Sequence, residues 1–325
     1  MLSVVLRINR WVMAVLIGVA FLMVRSASPT AQASRAMALT FDDLPYVSID
    51  GDNAVAKVAR VYHEISGVLS AHRAPAVAFV NEDKLGDDGE TKARTDILKS
   101  WVEAGVILGN HTYGHIDLNS VSIESFEDQI LRGEAVSRRL MAGRQPYQLY
   151  FRHPFTHTGD TAGKKDAVAA FLARHGYRTA PHTIDTSDYL FNAAYVRAIR
   201  AQDRLTGRKI VEAYLTFSDA ATAFAERAAV MMFRRDIPQT LVIHANDLNA
   251  DQLDALLSRF EARGYRFISL AEAMRDEAYR TSDTLVTPAG PTWLWRWNQS
   301  LGLSVSFRDD PDPPSWVSDL AAQVK

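Results

Sequence analysis

His111 and His115, in the run Asn110-His-Thr-Tyr-Gly-His115, are the residues whose types and spacing first suggest chemistry. Imidazoles at i and i+4 meet on one face of a helical turn, which offers two nitrogen ligands to one divalent cation. Upstream, Leu39-Thr-Phe-Asp-Asp-Leu44 carries the adjacent acids Asp42 and Asp43. A carboxylate from that second segment would complete a three-ligand set and leave a coordination position open for water and substrate. An open position separates a catalytic metal site from a closed structural one. With Asp43 as the ligand, Asp42 stays free as a base, because consecutive residues leaving a strand end can point in different directions. An isolated Asp-Asp pair would read as a helix cap, and an isolated His-x-x-x-His as readily a pair of surface or helix-capping histidines as a ligand pair. Their combination after an apolar run is what points to function.

Such residues need rigid elements to hold them. From Met37 onward, short apolar runs alternate with amphipathic stretches. Strands are expected over 37–41, 76–80, 106–108, 148–151, 178–181, 241–243 and 266–268, and helices over 53–70, 91–104, 122–140, 161–175, 250–263 and 270–277. This alternation predicts an α/β fold, a mainly parallel sheet or barrel with helices outside. Catalytic groups of such barrels sit at the C-terminal ends of strands. Asp42 and Asp43 follow the first expected strand, His111 the third, Arg152 the fourth and His244 the sixth, so all would converge on one rim. Residues 192–236, rich in alanine and arginine, read as helices inserted over the barrel. Residues 282–325 form a Pro/Trp-rich extension with Trp293, Trp295, Trp297 and Trp316, expected to pack across the barrel, the other reading being exposed indoles that stack on sugar faces at a cleft rim.

At 325 residues and 47% hydrophobic content the chain can bury a full core. Its net charge of −2 comes with no polybasic run, which argues against a nucleic-acid partner. Arg7 and Arg10 precede an apolar run from Trp11 to Val24 and an Ala31-Gln-Ala33 site, the layout of a signal peptide over residues 1–33. The run is short for a membrane span, so no stable span is expected after cleavage; an uncleaved N-terminal anchor is the alternative. Taking three arginines and no acids from −2 leaves a mature chain at −5. With no cysteine, an exported domain must be held by its core and not by disulfides. The expected domains are a signal peptide at 1–33, a barrel at 34–281 and the extension at 282–325, and the expected location is periplasmic or secreted.

With these residues in place, the chain resembles the polysaccharide deacetylases, the NodB-homology enzymes of carbohydrate esterase family 4. Thr40-Phe-Asp-Asp43, Asn110-His-Thr-Tyr-Gly-His115, Phe151-Arg-His-Pro-Phe155, Asp185-Thr-Ser-Asp-Tyr189 and Leu241-Val-Ile-His244 occur in the order of that family's five motifs. The first two match closely and the last three more loosely, over roughly residues 37–275. The resemblance implies a distorted (β/α) barrel that removes N-acetyl groups from amino sugars with one divalent metal ion, often zinc. It implies Asp43, His111 and His115 as metal ligands, Asp42 as general base and His244 as general acid. Arg152 would hold the base, Asp188 would orient His244, and Phe155, with Pro154 and Tyr189 beside it, would contact the oxyanion or substrate. His153 replaces a usual proline and Tyr189 a usual tryptophan, which leaves the substrate open.

The bottom-up reading supports these roles. An arginine beside Asp42 keeps the carboxylate ionised and aimed, and a carboxylate beside His244 keeps it protonated for a departing amine. The expected partner is an N-acetylated glycan. Two other readings stay open, a metal-dependent deacylase of a small non-sugar amide and an inactive exported carbohydrate-binding protein. The donor set itself suits zinc but also cobalt, nickel or manganese.

Overall fold

The computed structural model of the protein describes residues 35–49, 51–86, 89–144 and 147–322. The signal peptide expected over 1–33 lies outside the described residues. Eight parallel strands form one sheet: β1 (Arg35–Leu44), β2 (Ala76–Val80), β3 (Ile107–Asn110), β4 (Tyr150–Phe151), β5 (Arg178–Thr179), β6 (Ile184–Asp185), β7 (Gln239–His244) and β8 (Tyr265–Ile268). Their order is β5-β4-β3-β2-β1-β7-β6, with β8 pairing the start of β1. In a flat sheet the end strands of that seven-strand path would lie about 29 Å apart. The chain from Thr179 to Ile184 reaches at most about 18 Å. The sheet must therefore curl, and the result is the expected distorted (β/α) barrel.

β1 pairs with three strands, β2, β7 and β8, and carries apolar side chains on both faces. Met37, Ala38, Leu39 and Phe41 are fully buried, as suits a parallel strand covered on both sides. Helix Val55–Ala71 buries Val58, Val61, Ile65 and Leu69, a spacing that lays one apolar stripe on the sheet. Phe41 packs against Trp101 of helix Thr91–Glu103 at 5.9 Å between ring centroids.

Where the structure departs from the sequence reading, the reason is local. The single helix expected over 122–140 is two, Ile123–Arg132 and Ala135–Met141. The break at Gly133 places backbone against the histidine loop. A Cβ at Gly133 would lie 2.6 Å from the Tyr113 nitrogen and 2.7 Å from the Thr112 carbonyl carbon. The two-residue β6 carries no periodic signal, since its register comes from β7, with Ile184 beside Leu241 and Asp185 beside Val242. Most of the stretch over 192–236 falls in two helices, Asp188–Arg200 and Arg204–Phe233, the second capped by the Asp203 side chain accepting from the Thr206 N–H.

In the extension, helix Trp293–Ser300 buries Trp293 and Trp297 four residues apart on one face, and Trp295 lies on the other. Among the described residues no helix is long and apolar enough to cross a membrane.

Candidate active site

The C-terminal ends of the parallel strands share one edge, and chemistry-bearing side chains gather there. A cleft of about 370 Å³ is lined by Asp42, Asp43, His111, His115, Asp185 and His244, among others. Asp42 and Asp43 are consecutive in a strand, where side chains ordinarily alternate faces. Asp43 has φ of 68°, and the β1–β2 register slips between Phe41 and Leu44. That irregularity lets both carboxylates line the same cleft.

The helical turn expected to join His111 and His115 is absent. Residues 111–115 are a loop, with Thr112 at φ 64° and His115 at φ 50°. Hydrogen bonds from neighbouring elements bring the rings together. Asn81 Nδ2 donates to the carbonyls of His111 (2.7 Å) and Thr112 (3.1 Å), and Asn110 Oδ1 accepts from the Thr112 N–H (2.8 Å). Gln129 accepts from Tyr113 and Gly114 through its carbonyl and its side-chain oxygen. The two imidazoles end 4.9 Å apart between centroids. Left-handed residues cost roughly 1–3 kcal/mol each, and besides Asp43, Thr112 and His115 they include Phe155, Thr156 and Ser187 around this cleft.

Asp43 Oδ1 lies 3.7 Å from His111 Nε2 and 3.4 Å from His115 Nε2. One ligand atom from each of Asp43, His111 and His115 lies within 4.8 Å of the others. His111 Nδ1 donates to the Arg152 carbonyl at 2.8 Å, which fixes the tautomer and leaves the Nε2 lone pair toward Asp43. Burial lowers both imidazoles to about 4, so both are neutral at neutral pH. Burial opposes ionisation of Asp43, but Lys84, His115 and His111 outweigh it and hold its carboxyl below the usual range. Asp43 Oδ1 is buried, and among the described residues no donor hydrogen-bonds to it. Two neutral imidazoles beside an ionised, buried carboxylate whose Oδ1 makes no hydrogen bond among the described residues fit a divalent cation.

Asp42 Oδ2 lies 3.4 Å from the Arg152 guanidinium and 3.9 Å from His111 Nε2, while its Oδ1 is buried with no hydrogen bond among the described residues. Burial pushes the Asp42 carboxyl above its usual range, against the pull of Arg152 and His244. Arg152 is fully buried; it donates to Thr40 Oγ1 at 3.0 Å and stacks over Phe79 at 4.8 Å. Asp42 and His244 are direct register partners on β1 and β7. Asp188 Oδ1 accepts from His244 Nδ1 at 2.8 Å, which leaves Nε2 for the cleft. Burial alone would discharge His244, but Asp188, helped by Asp43 and Asp42, pushes it up to about 10.

Of the remaining expected site residues, Phe155 and Tyr189 line the cleft, 53% and 47% exposed. Pro154 is buried and does not line it. His153 is buried against Phe126 and Phe151 and lowered by burial to about 3, and His157 pairs with Asp117 at 2.8 Å. Sequence reasoning missed several supports. Lys84 lies 3.3 Å from Asp43 Oδ1, and His182 Nδ1 lies 3.4 Å from the Arg152 guanidinium. Asn246 and Asn249 donate to Asp188 Oδ2 at 2.7 and 2.6 Å. Lys84 was findable as a charge just past β2. The asparagines open a helix, where they read as caps.

A family model described as polysaccharide deacetylase matches residues 30–180. A chitin deacetylase of Colletotrichum lindemuthianum is 22% identical over 240 residues, covering 74% of this chain and 79% of that protein. A peptidoglycan-N-acetylglucosamine deacetylase of Bacillus cereus is 30% identical over 119 residues, covering 37% of this chain and 36% of that protein. A chitin deacetylase of Arthroderma benhamiae is 26% identical over 153 residues, 47% of this chain and 35% of the relative. The chain thus spans about a third of the length of two of these relatives. Among solved structures, the Colletotrichum chitin deacetylase is similar at 19% identity and a TM-score of 0.49, covering 74% of this chain and 87% of that one. So is a CE4 family pseudoenzyme from Bacillus anthracis, at 16% identity and a TM-score of 0.49, covering 75% of this chain and 66% of that one.

Proposed function

We propose that the chain is a polysaccharide deacetylase, an exported, metal-dependent hydrolase that removes N-acetyl groups from amino sugars of a glycan, a reading supported by the family model that matches residues 30–180. One observation carries this reading. Three donor groups converge in the same cleft that holds a buried carboxylate outside the donor set, Asp42, and a carboxylate-backed imidazolium, His244. That is a ligand set together with a base and an acid, as amide hydrolysis needs.

Asp43, His111 and His115 would hold the cation, zinc being the first candidate. When bound, it supplies Lewis acidity that polarises the acetamide carbonyl and makes a water easier to deprotonate. Asp42 takes that proton as the water oxygen bonds to the carbonyl carbon. Arg152 keeps Asp42 aimed and compensates its charge. The N–H of Phe155 is the proposed donor to the developing oxyanion. His244 gives its Nε2 proton to the nitrogen as the C–N bond breaks, leaving acetate and a free amine. Asp188 stabilises the imidazolium beforehand and orients it. Tyr189 and Phe155 supply apolar walls for the acetyl group and the sugar ring, and the altered third and fourth motifs bear on which glycan is taken.

Acetate release from N-acetylglucosamine oligomers tests the reading. Activity is expected to vanish with a chelator, to return on adding zinc, and to exceed turnover of small non-sugar acetamides. Faster release from the small amides would replace the glycan by another substrate. Binding without release on any acetylated substrate would favour the inactive carbohydrate-binding protein.

A further inference from the structure

A second cavity, of about 380 Å³, shares Asp185 and Gly290 with the catalytic cleft. Its walls are β6, the long helix Arg204–Phe233 and the extension, all beyond the segment 30–180 that the family model matches. Gly290 allows the junction. A Cβ there would lie 1.9 Å from the Phe155 carbonyl oxygen, so the extension backbone runs directly against the catalytic rim.

Two properties of the walls point to a ligand. Trp295 is 40% exposed while Trp293 and Trp297 of the same helix are buried. Its indole N–H is fixed on Asp310 at 2.8 Å and its ring leans on Phe307 at 4.4 Å, so a rigid aromatic plate faces the cavity. Rigid indole faces bind pyranose rings at little entropic cost. Charge is the second property. Asp185, Asp310 and Asp312 line the cavity against one cation, Arg308. Carboxylates accept hydrogen bonds from the hydroxyls of any sugar, but only a cationic unit also gains charge complementarity from them, and the amine released by deacetylation is a cation at neutral pH.

We infer that this cavity is a subsite for an already deacetylated, cationic amino-sugar unit, adjoining the unit under hydrolysis. The inference rests on the deacetylase reading for the chemistry of its ligand. It makes partly deacetylated glycan a better substrate than fully acetylated glycan, because the ammonium of a neighbouring unit is held by Asp310 and Asp312 while its ring lies on Trp295.

The test is calorimetric titration of the holoprotein carrying Asp42→Asn, which stops turnover, with glucosamine tetramer and with N-acetylglucosamine tetramer. The glucosamine tetramer is expected to bind at least tenfold more tightly and to weaken as sodium chloride is raised. Trp295→Ala and Asp312→Asn are each expected to weaken it at least threefold and to leave the acetylated tetramer within twofold. Asp312 is exposed, so its substitution keeps the test valid should Trp295→Ala not fold. Equal binding of the two tetramers, or unchanged glucosamine binding in Asp312→Asn, overturns the subsite. Normal acetate release by the parent enzyme without charge-selective binding overturns the subsite alone. Charge-selective binding lost in Asp312→Asn, in a parent that releases no acetate, overturns the deacetylase reading and keeps the cavity's preference.

Discussion

Asp42 and Asp43 are chemically identical neighbours that the fold gives opposite surroundings. Asp43 faces Lys84 and two imidazoles and is held ionised, while Asp42 is more deeply buried and lifted by that burial. Replacing Asp42 by Asn should therefore reduce acetate release by roughly 10²–10⁴-fold while the protein still binds one equivalent of zinc, measured by chelator competition. A parallel loss of zinc would mean that Asp42 is itself a ligand. As the proposed acid, His244 should set the alkaline limb of the pH profile. With its pKa raised to about 10, the proton-donating form is present below that pH and is lost above it. The alkaline limb of kcat/KM is expected near that value, drawn lower by the charge of a bound cation. Asp188→Asn removes the partner that opposes burial, so the limb should move down toward or below 6.5, and an unmoved limb would exclude His244 as the acid. The pairing of Asp188 with His244 was legible only as motif order. The asparagines that surround Asp188 look like ordinary helix-opening residues, because nothing in their local sequence reveals which side chain they solvate.

At the scale of elements, the apolar runs were readable because a parallel strand buried on both faces must be continuously apolar, as in Ala76–Val80. The histidine loop was not. His-x-x-x-His spacing matches a helical turn, yet positive φ at Thr112 and His115 and the hydrogen bonds from Asn81, Asn110 and Gln129 produce the convergence another way. Gly133 is the pivot of that arrangement. Its φ of −81° suits any residue, so Gly133→Ala tests sterics alone. The added methyl would meet backbone atoms of Thr112 and Tyr113 and should cost about 1–3 kcal/mol. The expected result is a folded protein by circular dichroism whose zinc affinity falls at least tenfold, since the loop carrying both histidines must shift. Unchanged affinity would show that the loop is held by its other bonds.

Across the whole molecule, the extension and the barrel rim are tied by Arg296. Its guanidinium is fully buried, pairs with Asp283 at 3.0 Å, and donates to Thr158 Oγ1 and to the Thr156 carbonyl at 2.8 Å each. Breaking a buried pair costs roughly 3–5 kcal/mol. Asp283 keeps Lys165 at 2.5 Å, so Arg296→Met should sit at the low end, about 6 °C in Tm by calorimetry. KM should rise more than kcat falls, because Thr156 follows Phe155 at the cleft. An unshifted Tm would mean that the extension is not anchored through this residue. The amino-acid sequence by itself determined the alternating elements, the strand-end placement of Asp42, Asp43, His111, Arg152 and His244, and the order of motifs, because periodicity and residue type are local properties. Only the tertiary structure decided how consecutive acids came to share one cleft, which loop geometry joined the two histidines, and that Trp295 faces outward beside carboxylates from distant segments. Those outcomes depend on curling the sheet and packing backbone on backbone, and no stretch of chain encodes them alone.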